Sequence, residues 1–243
     1  MADKLQLVFD GNEKQVFDTT DPHKVIFRYK DVTLAFHGIK RAVFKGKGAL
    51  NNKISAILLG ELNRSGVNTH FIELIDDNEQ LCRKIEIIPL QVIVRNRIAG
   101  SCAEMLGIAE GLRPDAPVFD LRYNNDDLGD PLINDCHVLA LKLVTRKELD
   151  LMYATAAKTN EVLSALLHKA GIELVDVKIE FGRASDNGEI IISDEISPDT
   201  CRLWDEMTGN KLDKDRFRHD LSDVVASYRE VLERLEKVKE EEK

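Results

Sequence analysis

Leu174-Val175-Asp176-Val177-Lys178-Ile179-Glu180-Phe181-Gly182 alternates strictly between apolar and charged side chains. A period of two belongs to an extended strand, so Asp176, Lys178 and Glu180 share one face while Val175, Val177, Ile179 and Phe181 share the other. The next apolar run, Glu189-Ile190-Ile191-Ile192-Ser193-Asp194-Glu195-Ile196, reads as a second strand, and Asn187-Gly188 lies between the two. That dipeptide is a strong hairpin signal because both residues accept the left-handed conformations of a tight turn. Pairing the strands brings Asp194 near Glu180.

Working outward toward the amino terminus, residues 5–9, 16–17 and 25–29 read as short antiparallel strands separated by Gly11 and Asp21-Pro22. From Asn52, the residues Ile54, Ile57, Leu58 and Leu62 recur at helical spacing and Gly66 supplies a stop, so a helix closes a first lobe. Segments 69–75 and 81–94 favour strands, with Pro89 expected to interrupt the second and mark a crossover between lobes. Toward the carboxyl terminus, Thr145-Arg146-Lys147-Glu148 is a capping box opening a helix to Lys169, ahead of Gly171. Its expected buried stripe is Leu149, Met152, Ala156, Leu163, Leu166 and Leu167. A last helix, from about Asp220 to Lys239, is expected to bury Leu221, Val224, Val225, Tyr228, Leu232 and Leu235. Strands and helices in irregular order indicate an α+β fold, here of two lobes, 1–87 and 88–243, around a cleft.

The 243 residues are 43% hydrophobic, enough for a sizeable core. Lys+Arg of 34 against Asp+Glu of 43 gives a net charge of −9, which disfavours nucleic-acid binding through phosphate neutralisation. Met1-Ala2-Asp3-Lys4 lacks a signal-peptide pattern, and no apolar run approaches the roughly 18 residues of a membrane span, so a cytoplasmic protein is expected. Cys82, Cys102, Cys136 and Cys201 form no Cys-x-x-Cys pair, and the six histidines show no His-x-x-x-His spacing. Any metal is therefore expected to be a hard cation on carboxylates.

Two carboxylates at neighbouring strand ends with a lysine between them, Glu180, Asp194 and Lys178, are the parts that hold Mg²⁺ and neutralise nucleotide phosphates. The same alternation also suits a plain solvated sheet face. Ser197-Pro198-Asp199-Thr200-Cys201-Arg202-Leu203-Trp204-Asp205 adds Arg202, able to bind phosphate or carboxylate through two parallel hydrogen bonds, although Pro198 and Asp199 equally make a structural turn. In the 88–101 segment, Arg95 and Arg97 alternate with apolar residues and Gly100-Ser101 opens a turn with a hydroxyl. Phosphate recognition and a solvated strand edge both fit it. Gly46-Lys47-Gly48-Ala49-Leu50-Asn51-Asn52 leads into a helix but lacks P-loop spacing, and Asn51 or Asn52 reads as a simple helix cap.

Taken together, these stretches resemble the signature motifs of the SAICAR synthetase family. The resemblance runs from about Leu7 to Leu235 and includes Leu212-Asp213-Lys214-Asp215-Arg216-Phe217-Arg218. It implies a two-lobed α+β fold related to ATP-grasp enzymes and protein kinases, with a nucleotide-covering loop in the first lobe and the metal and substrate site in the second. It also implies an ATP-dependent ligase that joins carboxyaminoimidazole ribonucleotide to L-aspartate, giving SAICAR, ADP and phosphate through an acyl phosphate in purine biosynthesis, in a homodimer. By motif, Glu180 and Asp194 would hold Mg²⁺, while Lys178, Gly11 and Lys14 would meet the ATP phosphates. The backbone near Glu86 and Ile87 would act as the adenine hinge, Arg95, Ser101 and Arg202 would grip the ribose phosphate or the aspartate, and Asp176 would approach the aminoimidazole.

The chain also departs from those motifs. Gly11-Asn12-Glu13-Lys14 stands for the usual Gly-Lys-x-Lys, Pro89-Leu90-Gln91 for Pro-Leu-Glu, Asn124-Asn125-Asp126 for Lys-Asn-Asp, and His37 for an asparagine. Weaker ATP binding is the expected direction for the first. The departures keep two alternatives open: a divergent ligase acting on another carboxylate or amine, and a nucleotide-binding paralogue without turnover. Retention of Lys178, Glu180 and Asp194 weighs against the latter.

Overall fold

The computed structural model describes residues 3–35 and 38–242; His37 lies outside them. In chain order the elements are β1 (Lys4–Asp10), β2 (Lys14–Thr19), β3 (Lys24–Tyr29), β4 (Val32–Ala35), β5 (Lys40–Val43), α1 (Lys47–Arg64), β6 (Phe71–Leu74), β7 (Glu79–Arg83) and β8 (Ile85–Arg95). There follow α2 (Ser101–Leu106), β9 (Val118–Tyr123), β10 (Leu132–Ile133), α3 (Asp135–Ala140), α4 (Arg146–Lys169), β11 (Ile172–Ala184), β12 (Ile190–Ser193), β13 (Cys201–Asp205), α5 (Asp215–Arg218) and α6 (Val224–Glu241). The first sheet has the order β1-β2-β3-β7-β6; the second runs β10-β9-β8-β11-β12, with β13 also paired to β11. The sheets meet where the His70 N–H donates to the Ile192 carbonyl at 2.8 Å and the Ile192 N–H to that of Asn68 at 3.1 Å.

β11 is the spine of the second sheet. Its alternation places Val177, Ile179 and Phe181 in the main core with Leu149, Met152, Ala156 and Leu163 of α4. Burying Phe181 completely contributes about 2–3 kcal/mol. Helices therefore cover one face and leave Asp176, Lys178 and Glu180 on the other. The capping box closes as expected: the Glu148 N–H donates to Thr145 Oγ1 at 3.3 Å and the Thr145 N–H to Glu148 Oε2 at 2.7 Å.

Four expectations need correction. α1 starts at Lys47, so Asn51 and Asn52 lie inside it; the Asp31 carboxylate answers its amino-terminal amides, accepting from Gly46 and Gly48 at 3.0 and 2.9 Å. Pro89 does not interrupt β8. It sits where the register with β11 jumps from Glu180↔Gln91 to Phe181↔Ile88, a bulge that tolerates a residue without an N–H. The strand after the hairpin ends at Ser193, because Asp194 adopts the left-handed conformation with φ of 59°. Finally, α6 begins at Val224 and Leu221 is exposed, since Asp220 and Asp223 also take positive φ and reshape the entry to the helix. Among the described residues, no helix is long and apolar enough to cross a membrane.

Candidate active site

Two clusters occupy the charged face of β11. At the first, Glu180 pairs with Ser193 of β12, which sets the next residue, Asp194, beside it. Lys178 Nζ donates to Glu180 Oε1 at 2.5 Å and stands 3.8 Å from Asp194 Oδ2, so one ammonium spans both carboxylates. Lys14, arriving from β2, pairs with Asp194 and donates to Glu195 Oε1 at 2.8 Å. Burial works to raise Asp194, but Lys14 and Lys178 outweigh it and lower its pKa. Burial likewise works to lower both lysines and is outweighed by the carboxylates, so both stay cationic.

The second cluster centres on Asp176, whose Oδ2 accepts from Arg95 Nη1 and from Arg202 Nη1, each at 2.8 Å. Strand pairing makes this possible, because Asp176 is opposite Arg95 of β8 and Arg202 of β13. Arg95 is only 1% exposed and also donates to Asp120 at 2.7 Å, so it is enclosed behind Asp176. Arg202 is held by Asp215 at 2.9 Å and lies against Gly100, next to the exposed Ser101. Asp176 and Lys178 are neighbours on one strand face, roughly 7 Å apart along the strand. An arginine–aspartate group and a carboxylate–ammonium group thus adjoin.

A family profile described as SAICAR synthetase matches residues 7–235. The chain belongs to the SAICAR synthetase family. It is 51% identical over 233 residues to the phosphoribosylaminoimidazole-succinocarboxamide synthase of Clostridium acetobutylicum, covering 96% of this chain and 98% of that one. A Clostridium perfringens protein of the same name is 49% identical over 235 residues, covering 97% and 99%. Among solved structures, the corresponding synthase from Ehrlichia chaffeensis superposes with a TM-score of 0.93 at 41% identity, covering 95% and 98%. A SAICAR synthetase in complex with ADP gives 0.90 at 42%, covering 95% and 97%.

The departures from the SAICAR synthetase motifs acquire physical settings. Glu13 Oε1 accepts from Lys214 Nζ at 2.7 Å and from the Leu34 N–H at 3.3 Å, so its charge is answered by a lysine 201 positions away rather than left beside Lys14. Asn12 is exposed. Gln91 and Asn124 touch: Gln91 Nε2 donates to Asn124 Oδ1 at 2.9 Å, and Asn124 Nδ2 donates to Glu180 Oε2 at 3.1 Å. Glu86 and Ile87 are exposed on β8. Among the described residues β9 pairs with 90–95 of β8 and no strand pairs with Glu86 and Ile87 on that side.

Sequence reasoning missed a buried network behind the first cluster. Asp199 pairs with Lys47 at 2.5 Å and accepts from Asn51 Nδ2 and Tyr228 Oη, both at 2.6 Å. Burial raises Asp199 less than Lys47 and Lys214 lower it. Lys47, which the sequence offers only as part of the glycine-rich stretch leading into α1, is 1% exposed within this network. Glu13, Glu195 and Asp199 bring ligand oxygens within 4.8 Å of one another, but Lys214, Lys14 and Lys47 answer them.

Proposed function

We propose that the protein is an ATP-dependent carbon–nitrogen ligase that joins carboxyaminoimidazole ribonucleotide to L-aspartate, yielding SAICAR, ADP and phosphate in de novo purine biosynthesis. The observation that carries the reading is the adjacency, on one face of β11, of Lys178, Glu180 and Asp194 with Asp176 and Arg202. ATP lies with its adenine against the open backbone at Glu86 and Ile87 and its phosphates toward Gly11, Lys14 and Lys178. Ser101 and Arg202 bind the ribose phosphate or the aspartate, with Arg95 and Asp176 holding Arg202 in place and Asp176 facing the aminoimidazole.

The substrate carboxylate attacks the γ-phosphorus, breaking the bond to ADP and giving an acyl phosphate. The amine of aspartate then attacks the acyl carbon, loses a proton and expels phosphate. Lys14 and Lys178 offset the negative charge gathered at the first step and hold the phosphates in line. Glu180 and Asp194 fit a hard divalent ion, since they are oxygen donors facing a single shared cation position that Lys178 now partly fills. Mg²⁺ bound there would supply further charge neutralisation at the phosphates.

Purified protein with ATP, Mg²⁺, the carboxylated ribonucleotide and L-aspartate should form ADP and the succinocarboxamide in equal amounts. ADP formed only with another acceptor, or nucleotide bound without turnover, would overturn the assignment. The same reading places the protein in the cytoplasm as a homodimer, and sedimentation would test the latter.

A further inference from the structure

We propose that Gln91 and Asn124 are positioning residues of coupled polarity: Asn124 holds one oxygen of Glu180, and Gln91 fixes the amide that does so. The inference rests on Glu180 as a metal ligand. Glu180 Oε1 accepts from Lys178 and Oε2 from Asn124 Nδ2 at 3.1 Å. An ionised carboxylate has no proton to give, so Asn124 must turn its NH₂ toward Glu180 and its oxygen away. That oxygen accepts from Gln91 Nε2 at 2.9 Å. Each group dictates the polarity of the next, and the chain from Gln91 to Glu180 runs in one sense only. Backbone contacts fix both ends: Gln91 is directly opposite Glu180 in the strand register, and the Asn124 N–H donates to the Pro89 carbonyl at 3.0 Å.

The two positions are therefore one exchange rather than two losses. A glutamate at 91 would set a carboxylate against the Asn124 oxygen, two acceptors with no proton between them in a buried place. A lysine at 124 would resolve that conflict by donating to both carboxylates. Gln with Asn and Glu with Lys each leave the pair with no net charge, so neither adds charge beside Glu180 overall. Mixed pairs are not equivalent: Gln91→Glu alone adds a negative charge and turns the Asn124 amide, and Asn124→Lys alone adds a cation that competes for Glu180.

The test is Mn²⁺ binding to the protein–ADP complex, read by electron paramagnetic resonance of free Mn²⁺, which does not depend on turnover. Asn124→Ala and Asn124→Lys should each weaken binding about ten- to 100-fold, the scale of losing or displacing the hydrogen-bond partner of a metal ligand. The double variant Gln91→Glu/Asn124→Lys should return to within about twofold of the wild type, a non-additivity expected of touching residues. A double variant no better than Asn124→Lys overturns the coupling. If the double variant does not fold, unchanged Mn²⁺ affinity in Asn124→Ala, at a half-buried position, overturns the tether. Glu180→Gln distinguishes the underlying reading. Loss of Mn²⁺ there with no effect at Asn124 or Gln91 overturns the tether alone, whereas a wild type that binds no Mn²⁺ with ADP overturns both.

Discussion

Gly100 and Arg202 are packed so closely that a Cβ on Gly100 would lie 2.1 Å from Arg202 Nη2. The absent side chain is what lets the guanidinium lie over the turn that opens α2. Gly100 also has φ of 54° and ψ of −137°, a conformation that disfavours any side chain. Gly100→Ala should therefore push Arg202 off Asp176 and Asp215 and distort the turn at Ser101. Steady-state kinetics should show the KM for the ribonucleotide rising more than that for ATP, with kcat/KM falling on the order of 100-fold. Equal effects on both substrates would contradict the assignment of this turn to the ribonucleotide.

Lys178→Ala and Asp194→Asn test the other cluster. Asp194 answers two ammonium groups, so neutralising it leaves Lys14 and Lys178 with less compensation and removes one of the two charges proposed to hold Mg²⁺. Turnover should fall at least about 1,000-fold in either variant, the scale of losing a preorganised charge at a phosphoryl-transfer centre. Near-normal activity in one of them would exclude it from the site.

The sequence carried the charged face of β11 openly, because a period of two needs no tertiary information to be read. The hairpin at Asn187-Gly188 was legible for the same reason, and so was the capping box at Thr145. What stayed hidden depended on partners remote in sequence. Lys47 meets Asp199 across 152 positions, and Glu13 meets Lys214 across 201, so neither composition nor spacing marks them. Pro89 misled because a proline rule written for regular ladders gives way at a bulge. Arg95 was hidden in the same way as Lys47: its contacts to Asp120 and Asp176 join residues 25 and 81 positions away.

Glu148 joins α4 to β11 and gives the fold an acid-sensitive contact. Its pKa falls from 4.5 to about 2 because the Arg183 guanidinium, then the Thr145 N–H, favour the charged form. A carboxylate lowered in the folded state stabilises above its unfolded value, and the contribution is lost as pH falls through the window between 4.5 and 2. The pair is partly exposed, so its worth at neutral pH is on the order of 1 kcal/mol. Urea denaturation should find Glu148→Gln less stable than wild type at pH 7, with the gap narrowing below pH 4.5 and closing only toward pH 2. A gap independent of pH would assign the loss to packing instead.

Tyr228 and Lys47 make the last case, in which stability and catalysis should separate. Tyr228 is fully buried and donates to Asp199 Oδ1, while Lys47 and Asn51 approach Oδ2. Tyr228→Phe removes one donor and leaves the charge compensated, so it should cost about 1–2 kcal/mol, or a Tm drop of about 2–8 °C. Catalysis at 25 °C should be nearly unchanged. Lys47→Met removes the cation and leaves Asp199 buried near Glu195, for about 3–5 kcal/mol. Because Glu195 also holds Lys14, that uncompensated charge should pull Lys14 away from Asp194, and the KM for ATP should rise as well. Calorimetry paired with ATP kinetics decides the matter. A Lys47→Met protein that loses stability but keeps its KM for ATP would show that the Asp199 network supports the fold without reaching the nucleotide.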